Sequence, residues 1–249
     1  MSIIHYCTTI RDSNANKMIK YNTEKYKELI LRTNLLKQLL PYGLEKYYLE
    51  RKRKYIKNKN GCILFADIVG YCEIAEKYTD IVTYLILDDI YSRFDLIIRK
   101  YPHIQKIETI GDAYMVVGDL NNLEFNPDLY LNICEFAFEI IEEIKKVKTP
   151  NHKLDLRIGI HMGSYIISVL GSINPRLCII GKDVNKTSRL QSTAEKNTIQ
   201  ISKWLYDILL KIDRARENYN FVKNENVYLK NIKLTTTYTM KRMENNSIK

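Results

Sequence analysis

Lys106-Ile107-Glu108-Thr109-Ile110-Gly111-Asp112-Ala113-Tyr114-Met115 reads as two strands meeting at a Gly-Asp turn. Upstream, Gly61-Cys62-Ile63-Leu64-Phe65-Ala66 reads as a buried strand that ends at Asp67. Between them lie helical patterns at Ile74 to Tyr78 and from about Ile81 to Lys100. Downstream, Leu129 to Val147 has the spacing of a long amphipathic helix. Leu154 to His161 and Tyr165 to Leu170 read as a second hairpin around Met162-Gly163, and Arg176 to Ile180 as a short strand. Val184 to Ser192 and Lys203 to Ile212 look helical. Phe221-Val222, Val227 to Lys230 and Thr235 to Met240 read as closing strands. The leading order β-α-β-β-α-β is the ferredoxin-like arrangement. The expected class is α+β, an antiparallel sheet flanked by helices, with an N-terminal helical extension.

The sequence has 249 residues and is 45% hydrophobic, enough to bury a large core. No apolar run approaches the roughly 20 residues of a membrane span, and no secretory pattern opens the chain. A soluble, cytoplasmic protein is expected. Five cysteines with no C-x-x-C pair argue against structural zinc and fit a reducing compartment. A net charge of +10 fits solubility or an anionic partner. The run Arg51-Lys52-Arg53-Lys54 is too short to make nucleic acid the favoured partner.

Residues 1–21 read as a poorly ordered lead-in and 22–58 as coupling or dimerisation helices. A catalytic domain is expected over 59–243, and a tail over 244–249. Leu29, Leu31, Leu35, Leu36, Leu39 and Leu40 recur near helical spacing until Pro41. A second helical stretch runs from Leu44 to about Lys54. Such a seam needs the domain or a partner helix to cover it, and a partner helix is favoured.

Asp67 stands where a strand gives way to a helix, and Asp112 at a hairpin tip. Either acid alone reads as an ordinary turn residue. Side by side they repel unless cations lie between them, a need met by hard divalent ions bound to phosphate oxygens. Backbone amides around Ile68, Val69, Gly70, Tyr71 and Cys72 are placed to cradle phosphate.

Four segments carry a resemblance. Phe65-Ala66-Asp67-Ile68-Val69-Gly70-Tyr71 and Lys106 to Met115 are joined by Leu156-Arg157-Ile158-Gly159-Ile160-His161-Met162-Gly163 and by Gly181-Lys182-Asp183-Val184-Asn185-Lys186-Thr187-Ser188-Arg189-Leu190. In this order they resemble the signatures of class III nucleotidyl cyclase catalytic domains, over about Gly61 to Met240. Leu35 to Pro41 resembles the helix that precedes such domains in many guanylate cyclases. The resemblance implies a head-to-tail homodimer with sites at its interface. It makes Asp67 and Asp112 the holders of two Mg²⁺ or Mn²⁺ ions, with the Ile68 carbonyl as a further ligand. It assigns Asn185 to the ribose and Arg189 to charge developing on the α-phosphate. Lys230 goes to the terminal phosphates, with Lys233 as its competitor.

Glu108 and Cys178 bear on the base. A carboxylate accepts from guanine N1-H and the exocyclic amine but has nothing to bond at adenine N1; a thiol donates to guanine O6. The family's cyclic-AMP members usually carry Lys and then Asp or Thr at these positions, so the guanylate type and GTP are expected. Cys178 also reads as a core cysteine. Lys182, Asp183, Lys186 and Asn231 depart from the family pattern. The competing readings are a cyclase for ATP, CTP or UTP, a silent nucleotide-binding regulatory module, and a polymerase-like palm.

Overall fold

The computed structural model describes residues 3–39, 50, 55–118, 126–150, 153–171, 173 and 175–243. The chain divides into two compact units. One holds the residues up to Lys54 with Val169–Arg176; the other holds Tyr55–Ser168 with Leu177 onward.

In the first unit, helix α1 spans Ile3–Leu39. The irregular lead-in expected over 1–21 is therefore helical from Ile3. The physical reason is a 40-residue opening with no Gly or Pro to break the helix. Tyr26, Leu29, Leu31 and Leu35 are exposed on it. The helix expected from Leu44 to Lys54 lies, apart from Glu50, outside the described residues. No described helix is long and apolar enough to cross a membrane.

The second unit is built on strands β1 (Tyr55–Val69), β2 (Ile104–Ile110), β3 (Ala113–Gly118), β4 (Asp155–Leu170), β5 (Arg176–Ile180), β6 (Thr198–Ser202), β7 (Tyr219–Leu229) and β8 (Lys233–Arg242). Its helices are α2 (Tyr71–Lys77), α3 (Asp80–Ile98), α4 (Pro127–Ile144), α5 (Lys182–Ser192), α6 (Lys203–Leu209) and α7 (Asp213–Asn218). The sheet order is β2-β3-β1-β4-β6-β8-β7, with β5 also paired to β4. Only β4–β6 is parallel among the registered pairs. This is an α+β fold, and β2-β3-β1-β4 has the order expected of the ferredoxin-like front.

The helices of the core start where side chains satisfy their free amides. Thr79 Oγ1 accepts from Val82 N at the start of α3, and Asn126 from Asp128 N at the start of α4, where Pro127 follows. Ile86, Ile90, Phe94 and Ile97 of α3 and the apolar stripe of α4 pack on Leu64, Ala66, Val116, Ile158 and Ile160 of the sheet.

Two sequence expectations change. Asp155–Leu170 is one continuous strand rather than the hairpin expected from Leu154 to Leu170, because β1 runs beside it from Tyr55↔Ser168 to Val69↔Asp155. Gly163 serves close packing there, not a turn. Thr198–Ser202, too short to stand out in sequence, forms buried β6 beside β4.

Candidate active site

The β2–β3 hairpin closes through Gly111 and Asp112, with Ile110 paired to Ala113. Gly111 takes φ 61°, a left-handed conformation that suits glycine at the first position of a two-residue loop. Ala113 pairs in turn with Asp67, which brings the two acids together. Tyr91 of α3 donates to the Gly111 carbonyl at 2.7 Å. Behind the hairpin, Lys106 Nζ lies 2.9 Å from both oxygens of Asp95, and the Tyr114 hydroxyl donates to Asp95 at 2.6 Å. The hairpin is thus tied to α3 at three points.

The two carboxyls therefore stand side by side, where β1 ends and the hairpin turns. Burial first, and then the Asp67 charge, push the Asp112 carboxyl above its usual range; the nearby Arg157 guanidinium works against them. Arg157 Nη2 donates to Asp67 Oδ2 at 3.0 Å. Arg157 lies in the Leu156 to Gly163 motif but has no role there from sequence alone. Its signal was a cation inside the apolar run Leu156 to Ile160, where a buried charge needs a partner.

Among the described residues no group of three or more His, Cys, Asp or Glu side chains is placed to hold a metal ion. The local donor set is two carboxylates, both oxygen donors. That suits Mg²⁺ or Mn²⁺, which keep several sites for water and phosphate.

Cross-strand partners share a sheet face. Glu108 pairs with Met115, Met115 with Phe65, and Phe65 with Gly159. Asp67, two residues beyond Phe65, lies on the same face. A register shift between Lys106 and Glu108 sends Lys106 to Asp95 while Glu108 joins this row. Glu108 is half-buried. Cys178, on β5, is also half-buried.

Helix α5 covers the same face where Gly159 lets it approach: a Cβ there would stand 2.2 Å from Gln191 N. Asn185 is exposed on α5 and Arg189 is half-buried. Arg189 forms no ion pair among the described residues; Asp67 is paired with Arg157 instead. Gly70, at φ 77°, leads into α2, and Ile74 N donates back to its carbonyl at 3.1 Å. Ile68 is buried, Val69, Gly70 and Tyr71 are half-buried, and Cys72 is exposed. Lys230 and Lys233 are both exposed at the β7–β8 turn. Asn231 between them has φ 66°, which explains its departure from the family's glycine: asparagine tolerates the left-handed region better than most residues.

Residues 54–242 match the family of the adenylate and guanylate cyclase catalytic domain. The receptor-type guanylate cyclase gcy-13 of Caenorhabditis elegans is 30% identical over 245 residues, 97% of this chain and 23% of that protein. The speract receptor of Strongylocentrotus purpuratus is 39% identical over 155 residues, 60% of this chain and 13% of the receptor. The chain thus spans under a quarter of the length of these relatives. Among solved structures, the guanylate cyclase domain of RhGC from Catenaria anguillulae, in complex with GTP, superposes with a TM-score of 0.67 at 28% identity, covering 76% of this chain and 99% of that one. With the acid pair, the strand order and these matches in agreement, the chain belongs to the adenylate and guanylate cyclase catalytic domain family.

Proposed function

We propose that this chain is a guanylate cyclase that converts GTP to 3′,5′-cyclic GMP and pyrophosphate, at sites shared by two head-to-tail copies. The observation that carries the reading is the strand register that sets Asp67 beside the Asp112 turn, with Glu108 on the same sheet face as Asp67.

In this reading Asp67 and Asp112, with the Ile68 carbonyl, hold two Mg²⁺ or Mn²⁺ ions. Bound there, the ions would neutralise triphosphate charge and acidify the ribose 3′-hydroxyl. Backbone amides from Ile68 to Cys72 receive phosphate oxygens. Glu108 accepts from guanine N1-H and the exocyclic amine, and Cys178 donates to O6. From the second copy, Asn185 orients the ribose and Arg189 meets charge growing on the α-phosphate as the hydroxyl attacks in line. Lys230, with Lys233 as competitor, meets the terminal phosphates. An Arg189 with no ion pair among the described residues suits a role across an interface. The exposed leucines of α1 support its reading as a helix that pairs with a second copy. No membrane contact is invoked, and the site is read as cytoplasmic.

The test is incubation with GTP, ATP, CTP and UTP, each with Mg²⁺ and with Mn²⁺, reading products by mass. Cyclic GMP alone is the expected result. A different cyclic nucleotide overturns the base assignment and keeps the reaction. A folded dimer that makes no product under any condition overturns the enzymatic reading in favour of a regulatory module. Shared sites are tested by mixing Asp67→Ala with Arg189→Ala: activity should return in mixed dimers.

A further inference from the structure

Asp183 departs from the family pattern, and the reading above gives it no work. It sits in the first turn of α5, two residues before Asn185 and six before Arg189. A carboxylate is favourable near a helix N-terminus, yet this one turns toward the sheet. Its Oδ2 accepts from Ser164 N at 2.8 Å and from Ser164 Oγ at 3.2 Å, both on β4. Its Oδ1 lies 3.4 Å from His161 Nε2. His161 is fully buried, and its Nδ1 lies 2.7 Å from Ser202 Oγ at the end of β6. Ser202 Oγ also accepts from Leu205 N, at the start of α6. A proton on His161 Nε2 satisfies every member: the ring donates to Asp183, and Ser202 donates to Nδ1. Burial first, and then Lys186, push the imidazole down to about 4, so it is neutral at physiological pH.

Two glycines on β4 seat the two ends of α5. A Cβ at Gly163 would stand 2.4 Å from Asp183 Cβ; one at Gly159 would stand 2.2 Å from Gln191 N. The lengths agree. The four residue steps of strand from Gly159 to Gly163 span about 13 Å, and the eight steps of helix from Asp183 to Gln191 rise about 12 Å. Asn185 and Arg189 lie between the two seats. At the Gly159 seat the packing is against helix backbone, and Gln200 Nε2 of β6 donates there to the Leu190 carbonyl at 3.1 Å and to Thr193 Oγ1 at 2.7 Å. The Gly163 seat carries directional hydrogen bonds, all of them to Asp183.

We propose that Asp183 is a positioning residue: by bonding Ser164 and His161 it fixes the rotation of α5 on the sheet, and so the direction in which Asn185 and Arg189 present their side chains. The inference rests on the cyclase reading for its consequence in turnover, and on the local geometry alone for its effect on the helix.

The test uses the full chain with Asp183→Ala and Asp183→Asn. Asp183→Ala should lower kcat for cyclic GMP by about ten- to a hundredfold, with KM for GTP changed much less. Asp183→Asn, which keeps an acceptor for Ser164, should recover part of the loss. Because α5 serves only one side of a shared site, Asp183→Ala should regain activity when mixed with Asp67→Ala and not when mixed with Arg189→Ala. Amides of α5 should exchange faster with deuterium in Asp183→Ala than in the wild type, while those of α4 remain protected. A folded Asp183→Ala dimer with wild-type kcat overturns the proposal. So does equal recovery with Arg189→Ala. If the wild-type chain has no turnover, the cyclase reading falls, and unchanged exchange in α5 then overturns the positioning claim separately.

Discussion

Arg157 of β4 donates from Nη2 to Asp67 Oδ2 of β1 at 3.0 Å, between directly opposed residues of the antiparallel pair. Its guanidinium is the local counter-charge of an acid pair that would otherwise carry two negative charges into one half-buried pocket. Arg157 Nε is buried and has no hydrogen-bond partner among the described residues.

Arg157→Met should therefore destabilise the fold at neutral pH by about 1–3 kcal/mol, the range for losing a charged hydrogen-bond partner. Added Mn²⁺ should narrow the deficit, because cations bound to the acids replace the missing charge and stabilise the folded state by mass action. Thermal melts of both proteins with and without Mn²⁺ make the comparison. An unchanged gap would remove Arg157 from the charge balance of the site.

Asp112→Asn should abolish turnover and yet raise stability in metal-free buffer. Burial and Asp67 hold the Asp112 carboxyl above its ordinary value, so ionising it costs folding energy at neutral pH. The sign follows: the wild type is penalised above the raised value and recovers as pH falls through it. At pH 7 the variant should melt about 1–4 °C higher, and the gap should close in acid. A variant that melts lower at pH 7 contradicts the repulsion.

Glu108→Lys combined with Cys178→Asp should cut kcat/KM for GTP by at least about tenfold, since an acceptor for guanine becomes a cation. The same protein should begin to turn over ATP. Initial rates with each nucleotide decide the matter. Wild-type preference for GTP in the double variant would take both residues out of base recognition.

His161 gives the fold an acid limb. Its imidazole, ordinarily near 6.5, is held down to about 4, chiefly by burial. The unfolded chain binds this proton first, so stability is full above about 6.5 and falls as pH drops toward 4, by about 3 kcal/mol in all. Asp183, bonded to Ser164 and His161, is held below its ordinary value and adds a further loss only at lower pH. Lys186 faces the same cluster, its own ammonium lowered chiefly by burial. Denaturant melts from pH 7 to 4 should show the slope, and His161→Gln should flatten it. A wild-type curve level over that window would contradict the buried neutral ring.

The front of the fold was legible because its signals are local. Gly111-Asp112 between two apolar runs is a turn on its own chemistry, and Asp67 at the end of a buried run marks a strand end. The reading failed where long-range pairing decides. Met162-Gly163 looks like a turn until β1 is known to run alongside it. Thr198–Ser202 becomes a strand only because β4 and β8 flank it. Residues 3–21 lack a strong apolar stripe, and the absence of breakers was the better guide. In the site, Asp67 and Asp112 were legible from their turns. Arg157 and Asp183 were not, because their roles exist only across strands and between a helix and the sheet.

Strand β4 divides its labour by parity. Leu156, Ile158, Ile160 and Met162 point into the core. Arg157, Gly159, His161 and Gly163 point to the face that holds the acids and α5. A one-residue insertion or deletion in this span would exchange the two sets, drive a guanidinium and an imidazole into the apolar layer, and unseat α5. This stretch should accept substitutions far more readily than changes of length. A scan of single-residue insertions along the gene should find its sharpest dead zone between Leu156 and Ser164.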